Sequence, residues 1–308
     1  MTMPLVRPYD RDFDWVYGSA ADPVPPTPPG LVAVMWDGVA LNTGDQDSGL
    51  CSIIENVDGW LDSPPLEGHD TEMVLADGAG WGIKTLGPRV ITLAGCAIGT
   101  RDVLAPFRDQ LARRAAARQP ADLTIVDAAG GGLALTASVR GGSDQLKLTW
   151  LGPYAFRWQV VLTAADPALY GDWQQASVSN GPGGATGRPY KRKYQWQYAS
   201  SFLPNSALLV NDGNWPAPVY ALYQGDLNQS QLSDGVGGSI NLAAINAQEQ
   251  VLVYTATLAA ITSGGLSRAS YILPGSVPML VAPGTTARWD LYGAGAGSVS
   301  LAWRSAWV

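Results

Sequence analysis

Turn residues interrupt this chain so often that little of it has room for a regular helix. Its 308 residues include 36 glycines and 22 prolines, nearly a fifth of the total. Between these breaks lie short runs rich in Val, Ile, Thr, Tyr and Trp, the pattern of strands joined by tight turns. LVAVMW (31–36) stops at Asp37-Gly38, a turn dipeptide; CSIIENV (51–57) and RVITLAG (89–95) are β-branched and bounded by Gly, Pro or Asp. LTIV (123–126), LALTASV (133–139), LKLTW (146–150) and YAFRWQVVLTA (154–164) follow, and DPALYG (166–171) ends that block.

One segment escapes the pattern. In TRDVLAPFRDQLARRAAARQP (100–120), Leu104, Phe107, Leu111 and Ala115 share one face at helical period. Pro106 is tolerable only in the first turn, so the helix is expected to start near residues 102–105. Arg113, Arg114 and Arg118 suit its C-terminal end, and Pro120 stops it. Its apolar stripe must lie on a sheet, leaving the arginine face available to a partner.

These elements predict a mainly β protein in three parts. Residues 1–30 read as an arm in which DPVPPTPPG (22–30) forms a stiff, extended spacer. It carries Phe13, Trp15 and Tyr17 as apolar anchors and Asp10, Asp12 and Asp14 as acidic ones. Residues 31–204 form a β-sandwich or half-barrel with one docked α-helix. Residues 205–308 contain eight short segments, from ALLVND to SVSLAWRSAW and including ASYIL (269–273), with no helical period; they predict an antiparallel β-sandwich. GAGAGS (293–298) is expected to be a turn between two of them.

Composition narrows the function. Charged residues make up 15% of the chain, against about 25% in an average protein, so part of the exterior is expected to be covered by partners. Residues 1–100 carry 4 Lys/Arg against 14 Asp/Glu, residues 101–204 carry 12 against 7, and residues 205–308 carry 3 against 5. The acidic front and basic middle either fold against each other within one subunit or meet between copies and steer assembly. Arg188, Lys191, Arg192 and Lys193, set among Tyr190, Tyr194, Trp196 and Tyr198, are candidate interface residues. Cations beside aromatics also suit nucleic acid, but a hairpin loop or connector fits an acidic protein better.

Catalytic signatures do not emerge. The only histidine, His69, sits among carboxylates in PLEGHDTE, and neither a C-x-x-C nor a phosphate-binding glycine loop is present. Asp10-x-Asp12-x-Asp14 begins like a calcium loop, yet Trp15 stands where glycine is needed. Cys51 and Cys96 are too few for a disulfide framework and are expected as buried free thiols, since the N-terminus has no signal-peptide pattern. No apolar run is long enough for a membrane helix, so no membrane anchor is expected. No enzyme activity, cofactor or metal is expected. Twelve tryptophans leave weak glycan contact open.

The order of elements resembles the distal tail (Dit) proteins of long-tailed siphophages, a minor tail protein family. The resemblance rests on GPRVITLAGCAIGTRDVLAPFRDQL (87–111), FRWQVVLTAADPALYG (156–171) and the entry NDGNWPAPVYALYQG (211–225), and covers residues 31–308. It implies an N-terminal belt domain that forms a homo-oligomeric ring, typically hexameric, with a galectin-like C-terminal sandwich outside it. Such a ring sits at the virion tail tip after synthesis in the host cytoplasm. It joins the major tail tube protein and tape measure protein to the tail-tip hub and other minor tail proteins, and genomic DNA transits its lumen without specific binding. The proline arm lies beyond the family's usual core. The alternative is a carbohydrate- or host-receptor-binding minor tail protein, and a glycoside hydrolase stands third.

Overall fold

The computed structural model describes residues 31–43, 49–68, 71–72, 79–80, 84–127, 132–179 and 205–308. The chain is mainly β, with one α-helix among the described residues. It divides into two compact units, Met1–Gly171 with Val308 and Asp172–Trp307.

In the first unit, β1 (Leu31–Trp36) turns back on β2 (Val39–Ala40) through Asp37 and Gly38. Both turn residues have positive φ, 49° and 77°, as a two-residue type I′ hairpin demands. β3 (Leu50–Asp58) leads into two short ladders, β4 (Leu66–Glu67) with β7 (Thr85–Leu86) and β5 (Thr71–Glu72) with β6 (Ala79–Gly80). After β8 (Arg89–Gly99) and the helix α1 (Arg101–Ala115) come β9 (Ala121–Asp127), β10 (Leu133–Trp150) and β11 (Ala155–Ala164). The main sheet is antiparallel throughout and runs β2-β1-β9-β10-β11-β8-β3.

β10 unites the two expected strands at 133–139 and 146–150. Its first half pairs with β9 up to Val139 and the rest with β11, a ladder that carries a register shift between Gly141 and Leu146. Trp36, Ile91, Leu93, Leu123, Trp158, Val160 and Leu162 fill the core beneath. Leu104, Phe107, Leu111 and Ala115 of α1 are all buried, packing the helix on β10 and β8. The helix starts at Arg101, earlier than expected, so Pro106 is its sixth residue and not a first-turn residue. The missing N–H forfeits one bond to the carbonyl of Asp102, at an exposed part of the helix where burial adds no further penalty. Arg118 lies beyond the helix end.

A second device closes this unit. Arg89 is 2% exposed, and its guanidinium donates to the carbonyls of Gly59 (3.2 Å), Trp60 (2.7 Å), Asp62 (2.6 Å) and Pro167 (2.8 Å). Asp166 shapes the turn on the far side, accepting from the Ala168 N–H at 3.0 Å and the Tyr170 hydroxyl at 2.7 Å. The Asp-Pro-x-x-Tyr turn and the start of β8 are therefore one hydrogen-bonded unit.

β12 (Leu169–Ser179) carries the chain into the second unit. There β13 (Ser206–Asn211), β14 (Ala217–Ser233), β15 (Ser239–Leu242), β16 (Gln250–Tyr254), β17 (Ala259–Thr262), β18 (Leu280–Val281) and β19 (Thr285–Trp307) build an antiparallel sandwich. One layer is β17-β16-β14-β19-β12; the other pairs β13 with the start of β19 and β15 with the end of β14. The two long strands thus contribute to both layers. Ala221, Tyr223, Val253, Val299 and Leu301 face inward from the first layer, and Leu209, Leu232, Ile240, Trp289 and Leu291 from the second.

Gly293–Ser298 is not the expected turn but lies inside β19. Gly295 has φ +108°, and a Cβ there would stand 2.2 Å from the Asp226 carbonyl oxygen. Glycine lets β19 bend against β14 without breaking the ladder, beside a register shift between Asn228 and Gln231. Ala269–Tyr271 is a 3₁₀ turn where a strand was expected; its N–H groups close local turns, with Tyr271 donating to Arg268 and Ile272 to Ala269.

Asn211 pins the entry to β14. Fully buried, its amide nitrogen donates to Trp215 O (2.8 Å) and Val281 O (3.1 Å), and its oxygen accepts from Gly213 (3.1 Å) and Ala306 (3.2 Å). Thr255 does similar work, its hydroxyl lying 2.7 Å from Met279 O and 2.9 Å from Val219 O.

Candidate functional site

The first unit carries a groove of about 560 Å³ between α1 and the β1–β2 hairpin. Val39, Ala40, Leu50 and Phe107 give it apolar walls, while Gln110, Arg113, Arg114 and Asp37 supply the polar ones. Helical spacing places these polar side chains: with Phe107 turned to the core, residues 110, 113 and 114 rise along the flank of α1. Arg114 is held by an ion pair with Asp37, whose own N–H donates to Asp122 O at 2.8 Å. Arg113 donates to the Asp109 carbonyl at 3.2 Å, and no carboxylate lies within ion-pair reach of it among the described residues.

The second unit exposes an aromatic row on its outer sheet face. Trp173 is 56% exposed, with the Arg304 guanidinium 5.3 Å from its ring centre. Tyr220 stands 5.7 Å from Trp173 and 5.1 Å from Tyr254. The ring planes meet at 58° and 77°, so the row forms no single flat platform. Further along the same strands, Gln224, Gln250 and Ser298 line a second groove of about 560 Å³ with Gln248 and Glu249. Glu249 accepts a hydrogen bond from Tyr271, which pushes the Tyr271 phenol above its ordinary range.

Cys51 and Cys96 are free and half-buried, packed with Leu151 against Ile98 and Ala155. Burial pushes Cys51 up and Cys96 up to about 11; Glu55 adds to the Cys96 shift and Arg157 opposes it. These thiols are protonated at neutral pH and poor nucleophiles. Among the described residues, no three His, Cys, Asp or Glu side chains gather into a set able to hold a metal ion. No helix among them is long and apolar enough to cross a membrane.

Phe13, Trp15, Tyr17, Arg188, Lys191, Arg192, Lys193 and His69 lie outside the described residues. The groove beside α1 brings together residues the sequence reading kept apart: the arginine face of the helix was legible, but its pairing with Asp37 was not. Trp173 and Arg304 carried no sequence signal beyond the abundance of tryptophan.

No protein-family model and no curated protein sequence matches the chain. Solved structures do. The crystal structure of SPP1 Dit (gp 19.1), described as a paradigm of the hub adsorption apparatus in phages infecting Gram-positive bacteria, superposes with a TM-score of 0.57 at 14% identity. The match covers 90% of this chain and 99% of that one, so the two share a fold across both units. The phage P2 baseplate in its Ca-activated conformation gives a TM-score of 0.46 at 9% identity, covering 82% of this chain and 90% of that one.

Proposed function

We propose that this protein is a structural component of a phage tail tip, a distal-tail ring subunit that joins the tail tube to the adsorption hub. The observation that carries this reading is the shared fold with SPP1 Dit over 90% of the chain and 99% of its counterpart. In this reading residues 31–204 serve as the ring-forming belt and residues 205–308 as an outer, galectin-like sandwich. The ring is a closed hexamer, and its partners are the tail tube, tape measure and hub proteins. Its role is assembly and not catalysis.

The charge distribution supports closure. An acidic 1–100 and a basic 101–204 give successive copies complementary faces for a head-to-tail contact. Light scattering behind size exclusion, with electron microscopy of the same fraction, tests the reading. A closed ring of six is expected; a monomer at micromolar concentration and low salt overturns it.

The exposed Trp173 row and the neighbouring amide-lined groove favour a second reading, carbohydrate binding by the second unit. Binding to a host cell-wall glycan that is lost in Trp173→Ala supports that activity. It is compatible with a ring or with a free receptor-binding protein.

A further inference from the structure

We infer that the groove between α1 and the β1–β2 hairpin is the docking site for residues 10–17 of this chain. The groove has apolar walls at Val39, Ala40, Leu50 and Phe107 and a polar flank where Arg114 is paired with Asp37 and Arg113 leaves one net positive charge. It needs an occupant that is apolar on one side and acidic on the other. The segment DRDFDWVY (10–17) has that alternation. Laid out as an extended strand, Phe13, Trp15 and Tyr17 fall on one face and Asp10, Asp12 and Asp14 on the opposite one. Its carboxylates exceed its single Arg11 by two, and Arg113 offers a cation with no carboxylate partner among the described residues. A volume of about 560 Å³ lies within the ordinary range of ligand pockets, roughly 300–1,000 Å³, and takes some of the aromatic side chains with the rest along its rim.

The chain can reach. β1 has six residues, so its start lies about 20 Å from the hairpin that borders the groove. The 13 residues between Tyr17 and Leu31 span about 40 Å in polyproline form. That length serves the groove of the same subunit and leaves enough to reach a neighbouring copy. Prolines in the spacer also reduce the entropy lost on docking. The inference does not depend on ring formation.

The test uses the full chain with a photocrosslinking benzophenone amino acid in place of Trp15. Cross-links are expected on residues 37–40, 50 and 107–114, found either within one chain or between two; both support the assignment. Arg113→Glu should cut the yield at least five-fold at low salt, and adding Asp12→Lys with Asp14→Lys should restore it. Gln110→Trp, which fills the groove without changing its charge, should abolish the cross-link, and circular dichroism verifies that both variants fold. Cross-links confined to Arg188–Lys193, cross-links without preference, or a yield indifferent to both substitutions would overturn the inference.

Discussion

The two units close antiparallel β structure over a core with different chemistry. The first relies on a buried cation and a docked helix: Arg89 gathers four backbone carbonyls, and α1 lays Leu104, Phe107 and Leu111 on the sheet. The second has no α-helix among its described residues and closes by passing two long strands between layers, with the neutral side chains Asn211 and Thr255 satisfying buried carbonyls. The helix leaves Gln110, Arg113 and Arg114 along an outer flank, whereas the layer-crossing β19 exposes few charges, Arg288 with Asp290 among them. The first unit therefore presents a basic, groove-bearing flank, while residues 205–308 carry only 3 Lys/Arg and 5 Asp/Glu and present an aromatic and amide surface. Salt should therefore weaken any contact made through the first unit's flank more than one made through the second unit's aromatic face.

Substitutions can break this contrast unit by unit. Arg89→Met has the largest expected effect, because it strands four carbonyls in a buried site; about 3–5 kcal/mol is lost. Hydrogen exchange should show the loss across β3, β8 and β11 but not in β14 or β19. Leu111→Ala should cost about 2–5 kcal/mol, as a fully buried leucine leaves a cavity under α1. Denaturant unfolding of the first unit measures it, and unchanged unfolding with a dissolved oligomer would reverse the faces assigned to the helix. In the other direction, Asn211→Ala should cost about 1–3 kcal/mol, with exchange rising in β13, β14 and β19 and not in α1.

Alkali sharpens the contrast with a smaller effect. The folded state holds the Cys96 proton up to about pH 11, above the ordinary thiol value of 9.0. The associated stability is complete below the unfolded value and is lost as pH rises from about 9 to 11. Raising pH through that window should destabilise the first unit, and Cys96→Ser should flatten that dependence. At pH 8, native Cys96 should react with iodoacetamide far more slowly than unfolded chain, by mass spectrometry. Trp173→Ala is the smallest: its exposed ring should leave stability within about 0.5 kcal/mol while removing any glycan binding.

Local patterns in the chain determined much of this architecture. The Leu104–Ala115 stripe marks α1 because a helix must bury one face, and Asp37-Gly38 marks a hairpin because both positions need positive φ. Long-range partners were decided elsewhere. Gly293–Ser298 reads as a turn in isolation, yet the neighbouring β14 supplies a ladder that keeps it in β19. Arg89 reads along the chain only as the first residue of a β-branched run, and its partners are the carbonyls of residues 59–62 and 167 that folding brings to it. The candidate site follows the same rule. An arginine flank on α1 is visible in the helical period, but its groove exists only because Asp37, 77 positions away in sequence, folds against Arg114. Periodicity and turn chemistry are properties of neighbouring residues and can be read along the chain; burial, a buried charge's partners and a groove's opposite wall depend on residues brought together only by tertiary folding.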